Sequence, residues 1–538
     1  MPIPFQWTFP YPSQRMPVLA GNIVATSQPL AAQAGLEMLR TGGNAVDAAV
    51  TTAVAMTVLE PTSNGIGSDA FALVWHEGKL HGLNASGRSP KAMSIEHFAG
   101  MQTMPHLGWD AVTVPGAVSA WVALSKKFGK LPFEKLFEPA IGYAEHGFPV
   151  APQTAAGWAA AGTSGRYAKF PEFAQTFLPG GRGPQPGERV TLPDHAKTLR
   201  LIARTQGEAF YRGELAQKIA AHAKATGGLM TADDLAAHTA DFVEPISIAY
   251  RGYRLHEIPP NGQGIAALSA LGILAERDLS HLDPDCPDIV HLQIEAMKLA
   301  FADAHRYVAD PAAMDIDPRR LIDPNYLAAR AKLIDVERAS DASWGTPKPG
   351  GTILLTAADS GGTMVSYIQS NYEGFGSGIV IPNTGISLQN RGGCFTLEKN
   401  HPNQIAGGKR PYHTIIPAFL TRPTKTGGEE PLMAFGVMGG FMQPQGHLQV
   451  ASRLIDFAQN PQAALDAPRW QITDGLHVSI EPGFPKEVYE ELRKRGHTLT
   501  IAPRRTVTFG GGQAVYRLES GDYLGASDAR RDGQAVGF

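Results

Sequence analysis

The residue with most chemistry to offer is a threonine that follows a junction rich in Pro and Gly. Residues 344–351 read WGTPKPGG, an irregular segment, and Thr352 then opens the β-prone run TILLTAADSGGTMVSYIQSN (352–371). In an intact chain Thr352 is an ordinary β-branched strand residue. If the Gly351–Thr352 bond were cut, the same residue would carry a hydroxyl nucleophile and a free α-amine of pKa near ~8, able to act as its own general base. Gly351 suits such a bond, because without a Cβ it can adopt a strained backbone shape that lets the hydroxyl attack the preceding carbonyl. A second pair, His291 and Glu295, stands at helical i, i+4 spacing. No HExxH motif accompanies it and the flanking apolar periodicity favours packing, so no metal is expected.

Composition narrows the substrates. The 538 residues carry 47 basic and 50 acidic side chains, a net charge of -3, which supplies no field for gripping nucleic acid or an anionic membrane. Small-molecule amides or peptides are the expected partners. The two cysteines, Cys286 and Cys394, offer neither a disulfide framework nor a four-thiolate metal site. With no 18-residue apolar run and no basic-then-apolar leader in MPIPFQWTFPYPSQRMP, a cytoplasmic protein is expected.

The elements that must position Thr352 follow from periodicity. PLAAQAGLEMLR after Gln28 reads as an amphipathic helix stopped by Gly42-Gly43-Asn44, and AVDAAVTTAVAMTVL as a buried helix ending before Pro61. DAFALVWHEGKLHGL (69–83) reads as a hairpin, and the region from about Phe133 to Lys332 as mainly helical, with a packed helix over 291–307. Thereafter strands dominate: two in 352–371 around a Ser360-Gly361-Gly362 turn, then GISLQNRG, GGEEPLMAFGVMGG and QAVYRLESGDYLGA, with helices over 443–456 and 485–495. This mixture predicts a layered α+β sandwich.

Several separated segments, in order, resemble the γ-glutamyltransferase family (γ-glutamyltranspeptidase, or glutathione hydrolase) of N-terminal-nucleophile hydrolases: GIGSDAF (65–71), DAVTVPGAV (110–118), PPNGQG (259–264), HLQIEAMKLAFAD, FGVMGGF and YLGASDARRDG. The resemblance implies a four-layer αββα sandwich. It also implies a precursor that cuts itself into a large subunit, 1–351, and a small subunit, 352–538, which stay together as a heterodimer, with a dimer of heterodimers as a further level of assembly. Thr352 would be the nucleophile, standing seven residues before the strand-ending Asp359. Ser370 takes the place of a second family Thr that orients the first, and Gly439 and Gly440 would offer N–H groups to an oxyanion. No cofactor is implied. The implied activity is acyl transfer from γ-glutamyl amides such as glutathione to water or to an amino-acid or dipeptide acceptor.

The substrate-binding positions depart from the glutathione-cleaving pattern. SGRSP puts Ser86 at the usual Arg position and Arg88 two residues later, while KRPYHT puts His413 and Thr414 where the family has paired serines. Tyr372, Arg391 and Cys394 occupy the positions that hold the substrate ammonium, and none is a carboxylate. A cationic amine beside Arg391 would be repelled, whereas a carboxylate could form a bidentate contact. The alternative is therefore a glutaryl-type amide hydrolase similar to cephalosporin acylases, with a shortened loop over 395–409 leaving the site open. A third possibility, of another class, is an unprocessed binding protein.

Overall fold

Two antiparallel seven-stranded sheets face each other in the computed structural model, which describes residues 14–341, 351–503 and 506–538. The first runs, in spatial order, Gln534–Gly537, Ile23–Thr26, Gly351–Ala358, Met364–Tyr372, Asp69–His76, Lys79–Asn84 and Asp241–Val243. The second runs Val18–Ala20, Tyr523–Ser527, Gly511–Arg517, Glu429–Met438, Ala418–Pro423, Tyr253–Glu257 and Ile246–Tyr250. Leu354, Ile368 and Phe71 of the first sheet interlock with Phe419, Ala434 and Val515 of the second in one buried cluster. Strand side chains alternate between faces, so the outer faces also need cover.

Helices supply that cover on both sides, which makes the four-layer αββα arrangement. Over the first sheet lies Ala45–Leu59, whose fifteen residues are all buried, as expected of a helix apolar all round. Its start is specified locally: Asn44 and Asp47 form a capping box, and Asp359, at the end of the Thr352 strand, accepts the Ala45 N–H at 2.7 Å. Pro29–Arg40 packs beside it, capped by the Gln28 side chain. Over the second sheet lie Gly264–Ala275, Pro287–Tyr307 and Met442–Ile455, whose Leu268, Met297 and Leu448 share a cluster with Leu255, Leu420 and Phe435. No described helix is long and apolar enough to cross a membrane.

The hairpin around Gly78, the mainly helical middle region and the helices Met442–Ile455 and Lys486–Lys494 match the sequence expectations. GISLQNRG does not form a strand. Its residues make only isolated bridges, Gly67 to Leu388 and Val380 to Ser387, because the segment bends around the Asp69 strand and spends Gln389 and Asn390 side chains on neighbouring loops. Of the predicted irregular junction, 344–350 lies outside the described residues.

Candidate active site

Thr352 is the second residue of its strand, 1 % exposed, at a break in sheet register: Gly351 pairs with Tyr372, but Ile353 pairs with Gln369. Such a bulge re-aims a side chain. Here it brings the Thr352 Oγ1 to 3.0 Å from the Ser370 Oγ. Ser370 lies opposite Asp69 on the next strand, so three neighbouring strands contribute to one buried cluster. Gly351 needs to be small for a different reason from the strained backbone expected: an added Cβ would meet the Gly374 backbone nitrogen at 2.7 Å.

Ser370 is the node. Its oxygen accepts the Tyr372 N–H at 2.8 Å and an Arg391 N–H at 3.2 Å, and its proton is directed at the Gly351 carbonyl oxygen, 2.7 Å away. A hydroxyl has one proton and two lone pairs, so with that proton on the Gly351 carbonyl the Tyr372 and Arg391 N–H groups and the Thr352 hydroxyl compete for two acceptor positions. In the continuous chain the shared proton therefore polarises the carbonyl that precedes Thr352.

Beneath this node sits a buried ionic group. Arg391 is 0 % exposed; it donates to Thr414 Oγ1 at 2.7 Å, lies 3.5 Å from Asp69 and stacks 4.6 Å from the Tyr372 ring centre. His413 Nε2 donates to Asp69 at 3.1 Å while its Nδ1 accepts the Ile415 N–H, which defines the neutral tautomer. Burial, reinforced by Arg391 and Arg410, holds the His413 imidazole well below its ordinary pKa. Burial also raises the Asp69 carboxyl to about 7, against the opposing pull of Arg391.

These contacts correct the reading of Arg391 as a direct clamp for a substrate carboxylate. Its guanidinium is enclosed and engaged by Asp69, Ser370 and Thr414, so it acts on the cluster from below. Tyr372, His413 and Thr414 are likewise buried in the same group. Arg88 is not brought to it: about half exposed, it pairs with Asp310 at 2.8 Å and lines a separate cleft with His238 and Asp241. Ser86 is buried and donates to Asn84. His291 and Glu295 gain a third potential ligand in His497, yet the Lys298 ammonium sits 2.8 Å from Glu295, and the His291 and His497 rings share a hydrogen bond. That cluster already contains its cation.

The way in is a cleft of about 550 Å³ that exposes Gly351 and Gly439, rimmed by Arg166, Tyr167, Glu373 and Arg531. Gly439 and Gly440 have φ of +130° and +63°, conformations open to glycine, and stand just before Phe441, the N-cap of the helix Met442–Ile455. Among the described residues neither N–H donates a hydrogen bond, while the Gly440 carbonyl is fixed by Gln263 at 2.9 Å. Two N–H groups without acceptors at a helix start are suited to an anionic oxygen.

Sequence reasoning missed Asp69, Arg166, Glu373 and Arg531. Asp69 had a signal, since it interrupts an otherwise glycine-like GIGSDAF segment. Glu373 had one too, as the neighbour of Tyr372. Burial raises its carboxyl, but hydrogen bonds and charge from His106 and Arg166 outweigh that and hold it at about 2. None of Tyr372, Arg391 and Cys394 is a carboxylate, but Glu373 beside Tyr372 brings one to the cleft.

Known proteins resemble this chain over most of its length. The family model for gamma-glutamyltranspeptidase matches residues 31–538. The glutathione hydrolase-like YwrD proenzyme of Bacillus subtilis is 35% identical over 96% of this chain and 98% of its own length. The oxamate amidohydrolase proenzyme of Klebsiella pneumoniae is 36% identical over 95% and 97%. The crystal structure of a cephalosporin acylase from Bacillus halodurans superposes with a TM-score of 0.94, at 50% identity and 99% coverage of both chains.

Proposed function

The chain belongs to the gamma-glutamyltranspeptidase family, and from that premise we propose that it cuts itself before Thr352 and then hydrolyses amides whose acyl group ends in a free carboxylate. The observation that carries the first half is the Ser370 contact with both the Thr352 hydroxyl and the Gly351 carbonyl. Thr352 Oγ attacks the Gly351 carbonyl carbon, Ser370 stabilises the oxygen that becomes negative, and the C–N bond breaks as the Thr352 nitrogen takes up the hydroxyl proton. Water then hydrolyses the ester, leaving a large subunit 1–351 with a new carboxylate and a small subunit 352–538 with a free Thr352 amine.

In the second cycle the amine takes the hydroxyl proton as Thr352 attacks a substrate amide. Ser370, relieved of the Gly351 carbonyl, turns its proton to the nucleophile, and the Gly439 and Gly440 N–H groups receive the oxyanion. The Thr352 ammonium passes that proton to the substrate nitrogen, which departs as an amine as the C–N bond breaks, and water releases the acid; an amino-acid or dipeptide amine in place of water gives transfer.

Support for an acyl group without an ammonium comes from Arg391, which places a buried cation at a position where the family binds one. One relative points the same way by its name, an oxamate amidohydrolase, while the name of the glutathione hydrolase-like relative points to a γ-glutamyl donor. A γ-glutamyl donor is the second reading, because Glu373 presents an ionised carboxylate to the cleft. N-terminal sequencing of a fragment starting at Thr352, absent in Thr352→Ala, tests processing. Paired assays on glutaryl and γ-glutamyl anilides test the acyl group, and preference for the second substrate would reverse the order of the two readings.

A further inference from the structure

In the segment 528–532, DARRD, every charged side chain but one is used internally. Asp528 pairs with Arg469 at 2.8 Å, and Arg530 is held by Asp528 and Glu481. Asp532 accepts the Gln153 and Thr154 N–H groups at 2.8 and 2.9 Å, capping the helix Pro152–Thr163. Arg531 is different. Its Nε is buried without a partner, and among the described residues its guanidinium enters no hydrogen bond or ion pair. Its stem crosses a neighbouring strand at Gly511, where an added Cβ would meet the Arg531 Cγ at 2.5 Å. From there the half-buried side chain reaches the cleft that exposes Gly351 and Gly439.

Among the described residues no acid lies within ion-pair distance of this cation. Glu60, which feels the Arg531 charge, is buried, accepts a hydrogen bond from Ser27 at 2.7 Å and is raised by burial to about 7. The other arginine on the rim, Arg166, is paired with Glu373. A half-buried guanidinium that reaches an open cleft without an ion-pair partner among the described residues can take an anion there, and its planar fork matches a carboxylate. We propose that Arg531 is the specificity-determining residue of this enzyme, binding the terminal carboxylate of the acyl group while Thr352 attacks the amide carbonyl. This rests on the proposed amidase reading, and it supplies from the cleft wall the contact that buried Arg391 does not make.

The test uses the processed enzyme and its Arg531→Gln and Arg531→Lys variants, with glutaryl anilide and its carboxamide-terminated isostere as substrates. Arg531→Gln is expected to lower kcat/KM for glutaryl anilide about 10- to 100-fold, mainly through KM, and to change the isostere less than about threefold. Arg531→Lys is expected to recover part of the loss. Titration with free glutarate, followed by calorimetry, reads the same contact without turnover: the wild type binds, and Arg531→Gln binds at least about tenfold more weakly. Equal losses on both substrates, or glutarate binding that is absent in the wild type or unchanged in Arg531→Gln, would overturn the assignment. Glutarate binding that depends on Arg531 in a protein that turns over neither anilide would keep Arg531 as a carboxylate site and sink the amidase reading.

Discussion

Ser370→Ala removes one oxygen from a four-way junction, and the size of its effect can be worked from the contacts. The scissile carbonyl loses the donor at 2.7 Å, the Thr352 hydroxyl loses its partner at 3.0 Å, and the Arg391 and Tyr372 N–H groups lose their acceptor. Loss of one donor to a developing oxyanion costs about 3 kcal/mol of barrier, so self-cleavage should slow about 100- to 1000-fold. The ground state suffers as well: a buried, charged N–H left without an acceptor costs about 1–3 kcal/mol, which should appear as a lower unfolding midpoint. Ser370→Thr restores the hydroxyl and should cleave within about tenfold of wild type. The assay is a cell-free translation time course, resolving precursor from fragments on a denaturing gel, alongside denaturant unfolding of the purified precursors. Wild-type cleavage kinetics in Ser370→Ala would refute the reasoning, and so would a Thr variant as slow as the Ala variant. Either result would mean that the carbonyl is polarised by some other group.

Gly439→Ala should lower kcat at least about 100-fold in steady-state assays, since an L residue at φ +130° must shift the N–H groups and its Cβ would press on the Gly510 Cα at 3.1 Å. Arg391→Met should destabilise the fold by about 1–3 kcal/mol as Ser370 and Thr414 lose a donor, while Asp69, already raised to about 7, goes up further and stays protonated; the deficit should grow as pH rises above about 7, and Asp69→Asn added to it should remove that growth, measured by denaturant unfolding. Glu373 titrates near 2 in the folded protein against an ordinary 4.5, so its stabilisation is complete above about pH 4.5 and is lost as pH falls toward 2. Glu373→Gln should therefore cost about 2–3 kcal/mol at pH 7, allowing for screening at half-exposed Arg166, and its difference from wild type should shrink in unfolding curves taken below pH 4.5.

Local signals carried much of the architecture. The capping residues Gln28 and Asn44, the Gly78 turn and the β-prone run from Thr352 each report on contacts within a few residues, and each element stands where its pattern puts it. The spacing of eighteen residues between Thr352 and Ser370 was readable because a hairpin closes it. The Asp69–Arg391–His413 group was not, since it joins residues more than 300 positions apart whose protonation depends on being enclosed together. Arg391 was misplaced for that reason: sequence shows a cation but not the acid that claims it. GISLQNRG failed differently, because apolar alternation cannot distinguish a ladder from a bent segment whose Ile386 and Leu388 are buried by loops.

The order of strands in the first sheet bears on when the nucleophile can act during synthesis. The Thr352 strand is flanked by Ile23–Thr26, and that strand in turn by Gln534–Gly537, so the sheet around the scissile bond takes in segments from both ends of the described chain. A ribosome that has made Thr352 but not residue 534 holds a nucleophile in an unfinished sheet, and early in that interval the strand that ends just before Gly439 and the strand that begins at Gly511 are also still to come. Self-cleavage is thereby timed to follow translation of the small-subunit sequence, and a nascent chain truncated before residue 511 is expected to remain uncut.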